Sequence, residues 1–130
     1  MKKPTLTINI IKEEVGYSAT SSAGRKLIAT QGDDFEDLKK NIVDAVNLAF
    51  EDLGFKYNID ELVLRPDLQS FFNFYKVINV NALSKRINMN QSLLAQYING
   101  TKKPSSSQTR RILEGVQQVG RELSAIQFLI

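Results

Sequence analysis

The apolar residues of this 130-residue chain change their spacing at one point. Before Pro66 they mix the period of two expected of strands with one long helical stripe. Beyond it they recur only every three or four residues, as helices require. Thr5 to Ile10 alternates polar and apolar, so it reads as a half-buried strand. Lys12 to Gly16 is a polar turn, and Tyr17 to Thr20 is the returning strand of a hairpin. Ser21 to Lys26 is a small, polar loop, and Leu27 to Thr30 is a short third strand. A helix of about twenty residues follows, with Asp33 capping Glu36 in a capping box. Its stripe is Phe35, Leu38, Ile42, Ala45, Val46, Ala49, Phe50 and Leu53, and Gly54 stops it. Leu62 to Leu64 supplies a possible fourth strand.

The expected fold is therefore α+β in two domains. Residues 1–66 form a three- to four-stranded antiparallel sheet with one helix, and 67–130 form an all-α domain. In the second, Asp67 caps a helix whose inner side includes Leu68, Phe71, Phe72 and Tyr75. A second helix spans about Asn81 to Ile87, and a third ends at Asn99-Gly100. Ser105 and Gln108 open a long last helix with Ile112, Val116, Val119, Leu123 and Ile126 on one face. Gly115 and Gly120 weigh against its running unbroken.

Charge divides the chain in the same place. Residues 1–66 carry 9 Lys/Arg and 11 Asp/Glu, a net of −2, whereas 67–130 carry 8 and 3, a net of +5. A basic module behind a slightly acidic one points to polyanion binding, the plainer account being basic residues that solvate a small domain. Histidine and cysteine are both absent, which removes the commonest general base, disulfides, and imidazole or thiolate metal ligands. No metal or cofactor is expected. No apolar run approaches the ~18 residues of a membrane span, and the N-terminus does not resemble a signal peptide, so the expected location is cytoplasmic.

The segment Ala82 to Pro104 has the constraints of two short helices set steeply across a tight turn. Leu83 and Ile87 face the core, Ser84 is small enough for close helix approach, and Asn88 tolerates a left-handed backbone. Met89 plugs the corner, while Leu94 and Tyr97 anchor the following helix. Leu83 to Ser92, then Asn99-Gly100, Lys102, Lys103 and Pro104, resembles the helix-turn-helix of the Cro and phage-repressor class. The family's usual Gly at the turn and Ala at the small position are replaced by Asn88 and Ser84. The alternative is a plain helical hairpin.

This resemblance implies double-stranded operator DNA as a partner. Asn90, Gln91 and Ser92 would open the recognition helix, with Ala95 and Gln96 on its groove-facing side. A glutamine amide reads adenine with two hydrogen bonds, worth about 1–3 kcal/mol of discrimination. Lys85 would approach from the preceding helix, while Asn99, Lys102 and Lys103 would hold phosphates. The plainer account of each is a solvated polar side chain. Such modules usually act as dimers. The apolar segment Ile126 to Ile130 either serves that dimer or folds back on its own core.

The first domain resembles the HicB antitoxin family, on Gly16 to Thr20, on Thr30 to Asp37, and on Ile42, Ala45 and Phe50. The family's Pro-and-Gly segment before the third strand is replaced by Ser21 to Lys26. The resemblance implies a degenerate ribonuclease-H-like core without catalysis, blocking a small basic mRNA-cleaving toxin, with the second domain repressing the shared operon. Two other readings stay open, a stand-alone regulator whose first domain drives assembly, and a nuclease. Two-metal nucleases need converging carboxylates, but Asp33, Asp34, Glu36 and Asp37 read as cap and dipole residues. The first strand carries no acidic residue, so no enzymatic activity is expected.

Overall fold

A helix that follows a strand and returns the chain to its starting end makes the next strand parallel to the first. That relationship sets the first unit of this protein. The computed structural model describes residues 2–23 and 26–130, and the chain divides into two compact units, Met1–Tyr75 and Lys76–Ile130. The described fold is α+β, with one four-stranded sheet and five α-helices.

In the first unit, β1 (Thr7–Lys12), β2 (Tyr17–Ala23) and β3 (Lys26–Gly32) form an antiparallel meander. Helix α1 (Phe35–Ala49) then carries the chain back to β4 (Val63–Pro66), and the sheet order is β3-β2-β1-β4. β4 lies parallel to β1, with Thr7 opposite Val63 and Ile10 opposite Pro66. The sheet is therefore mixed, not antiparallel as expected. Two hairpin reversals leave β3 running with β1, and one helix leaves β4 running with β3. Pro66 is tolerated because β4 is an edge strand and lacks a neighbour on its outer side.

Alternation on the sheet buries Leu6, Ile8 and Ile10 with Ala19 and Ile28 against Leu38, Ile42 and Val46 of α1. Each such aliphatic side chain contributes roughly 1.5–3 kcal/mol on burial. The buried hydroxyl of Ser21 donates to the carbonyl of Thr7 at 2.7 Å, so it enters the core satisfied. Gly32 is required by close approach: a β-carbon there would lie 2.6 Å from the backbone nitrogen and Cα of Leu38. The first turn of α1 can thus sit directly on the end of β3.

Several local expectations shift. The cap of α1 is Asp34, whose carboxylate accepts from Asp37 N at 2.8 Å, while Asp33 N donates to the Asp37 carboxylate. The cap moves one residue on because β3 extends through Gly32. The helix has fifteen residues, with a 3-10 turn at Glu51–Leu53 before the left-handed Gly54. Ser21 to Ala23 and Lys26 belong to strands rather than to a loop, and Gly24 and Arg25 lie outside the described residues.

Helix α2 (Leu68–Phe74) belongs to the first unit, so the units part after Tyr75 rather than at Pro66. The Asp67 carboxylate caps it by accepting from Ser70 N at 2.9 Å, and also accepts from Lys12 N at 3.0 Å. One carboxylate thereby ties the helix start to the end of β1. Phe74 stacks on Phe35 with centroids 4.1 Å apart, and lies 4.6 Å from the ring of Tyr17. Tyr75, expected on the inner side, is 42% exposed.

The second unit contains α3 (Val80–Arg86), α4 (Gln91–Ile98) and α5 (Ser106–Ala125). α5 runs unbroken through both of its glycines. Its cap Ser105 accepts from Gln108 N at 3.2 Å, but the Gln108 side chain accepts from Arg111 instead of reaching back to form a box. Residues 126–130 follow α5 without regular secondary structure and are exposed. No helix among the described residues is long and apolar enough to cross a membrane.

Candidate nucleic-acid interface

Asn79 begins the site by capping α3, its side-chain oxygen accepting from Ala82 N at 3.0 Å. On α3, Leu83 and Ser84 are buried and Ile87, at its end, is half-buried. The Ser84 hydroxyl is turned onto the carbonyl of Asn81 at 2.6 Å, so the small buried residue leaves no unpaired polar atom. Asn88 then takes φ 53°, the one positive φ of a non-glycine residue among those described. This reverses the chain, and Met89 N closes on the carbonyl of Ser84 at 2.9 Å. The Met89 side chain is buried in the corner.

Asn90 caps α4, its side-chain oxygen accepting from Ser92 N at 2.8 Å and Leu93 N at 3.2 Å. That oxygen is engaged within the fold, leaving the amide nitrogen as the outward group. Leu94 and Tyr97 face inward and are buried. Gln91, Ser92, Ala95, Gln96 and Asn99 are all exposed. Steps of three and four residues make helix neighbours, and they link Gln91 to Ala95 and Asn99, and Ser92 to Ala95 and Gln96, so these five form one outward side. It carries no charge. Asn99 ends the helix with its side-chain oxygen accepting from Thr101 N at 2.9 Å.

Two lysines follow at the end of that stripe. Lys102 N donates to the carbonyl of Gln96 at 3.1 Å, which folds the loop against the last turn of α4, and Lys102 and Lys103 are exposed. Lys85 is exposed on α3, outside the stripe. The neighbouring Arg86 is differently placed: its guanidinium meets the carboxylate of Glu122 on α5 through two bonds, at 2.9 and 2.6 Å. This contact and the donor Gln118 hold the Glu122 carboxyl down at a pKa of about 2. Residues 76–130 hold 8 basic and 2 acidic side chains, a net of +6.

Two residues of α5, Arg111 and Gly115, position this arrangement in ways that their sequence context does not reveal. Arg111 on α5 donates through Nε and Nη2 to the carbonyl of Ile87 at 3.1 and 2.6 Å, and through Nη2 to the carbonyl of Asn88. The guanidinium clasps the turn from outside the segment that defines it. Gly115 lets α5 approach α3, since a β-carbon there would meet Cγ2 of Ile87. The only signal in the sequence was a glycine inside an otherwise regular helix, and nothing marked Arg111 among eight basic residues. Among the described residues no three acidic side chains gather where they could hold a metal ion.

Comparisons with protein-family models, with curated proteins and with solved structures find no match to this chain.

Proposed function

We propose that the second unit is a helix-turn-helix that binds double-stranded DNA in a sequence-dependent way, and that the chain is an antitoxin and autorepressor of the HicB-like kind. The observation that carries the DNA reading is the uncharged stripe of Gln91, Ser92, Ala95, Gln96 and Asn99, held behind the left-handed turn at Asn88. Base edges in the major groove are read by short polar side chains on the first turns of an inserted helix. Cations reach phosphates from the flanks. α4 has that distribution, with amides and a hydroxyl on its face and Lys102 and Lys103 beside its end.

The roles follow. Gln91 and Gln96 present amides to adenines, and Ser92 and the Asn90 amide nitrogen add hydrogen bonds to bases or phosphates. Ala95 keeps the face flat enough to approach and can meet a thymine methyl. Lys85, Asn99, Lys102 and Lys103 set register on the backbone. Arg111 is a positioning residue, acting through the turn. A single module of this size reads too few base pairs for tight binding, so two copies act on paired half-sites.

The antitoxin part rests on the resemblance of the first domain and on charge. Residues 1–75 carry 9 basic and 12 acidic side chains, a net of −3, which favours encounter with a small basic toxin. The test of the DNA reading is enrichment of random duplexes by the purified chain. A recurrent motif with salt-dependent affinity is expected, and recovery of unenriched duplex would remove the reading. The test of the partner is capture from native cells by the tagged chain. A small basic protein in near-stoichiometric amount is expected, whereas self-association alone would leave a stand-alone regulator.

A further inference from the structure

Aromatic rings of the first unit gather at one end of its sheet. Lys12 closes β1 opposite Tyr17, which opens β2, and Tyr17 lies opposite Gly32 at the end of β3. α1 starts just beyond Gly32, and the Asp67 cap of α2 is bonded to Lys12 N, so both helices begin at this end. Phe35 stands edge-on to Tyr75 at 5.8 Å, Tyr75 lies 5.2 Å from Phe71, and Phe74 joins Phe35 to Tyr17. Tyr75 is 42% exposed, the other four rings are half-buried, and Val15 in the adjoining turn is 84% exposed. An apolar, mainly aromatic patch is thus left part-covered.

Charge is concentrated around the same patch. Residues 12–17, 33–39 and 67–75 hold seven of the unit's twelve acidic side chains and two of its nine basic ones. The rest of the unit is slightly basic, so its negative charge belongs to this end. Glu13, Glu14, Asp33, Asp34, Glu36 and Asp37 are all exposed. Among the described residues nothing pairs with the carboxylates of Glu14 and Asp33. The two lysines at this end lie over rings, Lys12 5.1 Å from the centroid of Tyr17 and Lys39 4.4 Å from that of Phe35. Tyr75, the most exposed ring, has no such cation among the described residues.

We propose that this end of the first unit is the docking surface for an arginine-bearing segment of a basic protein partner. The inference rests on the reading of the first unit as a partner-binding domain, and adds where the partner sits and which side chain it presents. An aromatic centre within a polar rim is the anatomy of a protein interface. The carboxylates choose the occupant, because they attract a cationic segment and repel a nucleic acid or the same end of a second copy. Between the two cationic side chains the rings favour arginine. Its guanidinium stacks flat on an aromatic face and still offers its N–H fork to a carboxylate, which a strongly hydrated ammonium cannot do.

Arginine-rich and lysine-rich peptides of equal length are titrated into the isotope-labelled full chain and followed by amide NMR shifts. Shifts at residues 13–17, 33–39 and 73–75 are expected, with tighter binding of the arginine peptide. Tyr75→Leu keeps the apolar bulk and should weaken the arginine peptide by about two- to fivefold, the worth of an exposed cation–π contact. Glu14→Gln with Asp33→Asn, both exposed and unpaired, should weaken both peptides and leave the fold intact. Equal affinity for the two peptides, shifts centred instead on Glu51, Asp52, Asp60 and Glu61, or no binding overturns the proposal. Capture from native cells separates it from the antitoxin reading. A toxin captured equally by the parent and by the triple variant at 14, 33 and 75 overturns this surface and keeps that reading. Arginine peptide bound at this end of a chain that captures no toxin keeps the surface and removes that reading.

Discussion

Gly115 is separated from Ile87 by the space of one missing methyl group: a β-carbon at 115 would stand 2.3 Å from Cγ2 of Ile87. Cγ2 belongs to a β-branched side chain with a stiff χ1, so it cannot swing aside. Gly115→Ala gains about 1 kcal/mol of helix propensity and meets an overpacking cost of about 1–3 kcal/mol. A net loss of roughly 1 kcal/mol is expected. Gly120 has nothing within 4 Å of its would-be β-carbon, so Gly120→Ala should stabilise by up to about 1 kcal/mol. Urea unfolding followed by NMR on buried Tyr97 separates the two. Ile87→Leu, which removes the branch, should relieve Gly115→Ala and not Gly120→Ala.

The turn is tested at Asn88 and Arg111 together. At φ 53° a residue with a β-carbon and no local hydrogen bonding costs about 1–2 kcal/mol. Asn88→Ala should therefore destabilise the second unit by about 1 kcal/mol, and Asn88→Gly should be close to neutral. Arg111→Ala removes charged hydrogen bonds to the carbonyls of Ile87 and Asn88, a loss of about 1.5–3 kcal/mol. Arg111→Lys should recover only part, because an ammonium lacks the planar fork that reaches both carbonyls. Equal stability of the alanine and parent chains would show that the clasp contributes nothing.

Elements with one dominant local cause were legible in the sequence. The stripe of α1, the cap at Asp67, the turn at Asn88 and the inward Leu94 and Tyr97 each follow from spacing within a few residues. What was missed depends on partners distant in the chain. The parallel pairing of Thr7 with Val63 joins strands more than fifty residues apart, although a strand-helix-strand order already implies it. α2 was assigned to the second half because Pro66 reads as a boundary, yet its place is decided by Phe74 on Phe35 and Tyr17. Arg111 reaches back over twenty residues to the turn, and no periodicity encodes that. Gly115 was read as a weakness of α5 when it is a contact with Ile87.

The polar stripe and the flanking lysines should fail differently. Gln91→Ala with Gln96→Ala removes groups that read bases, so preference between sequences should fall by about 1–3 kcal/mol per lost bidentate contact. Affinity for unrelated duplex should stay nearly constant. Lys102→Ala with Lys103→Ala should weaken binding to every sequence and lower the salt slope by about two. Fluorescence anisotropy on an enriched and a scrambled duplex, across a salt series, reads both effects. The same loss from both pairs would show that α4 is not the helix that reads sequence.

Arg86 and Glu122 join α3 to α5, and their pairing is titratable. The Glu122 carboxyl is lowered from an ordinary 4.5 to about 2, first by the hydrogen bond from Arg86 and then by that from Gln118. A carboxyl lowered in the folded state contributes stability that is fully present above pH 4.5 and is lost as pH falls through 2. Both side chains are over 40% exposed, so screening keeps the contribution small. The sharper readout is the side-chain carbon shift of Glu122. Its midpoint should lie near 2 in the parent chain and rise towards 4.5 in Arg86→Ala, stopping short because Gln118 still donates. Glu122→Gln should flatten the part of the acid unfolding curve that lies between those two values. A Glu122 midpoint near 4.5 in the parent chain would show that the pair does not persist in solution, and that α3 and α5 are held together by other contacts, such as those of Gly115 with Ile87 and of Arg111 with the carbonyl of Ile87.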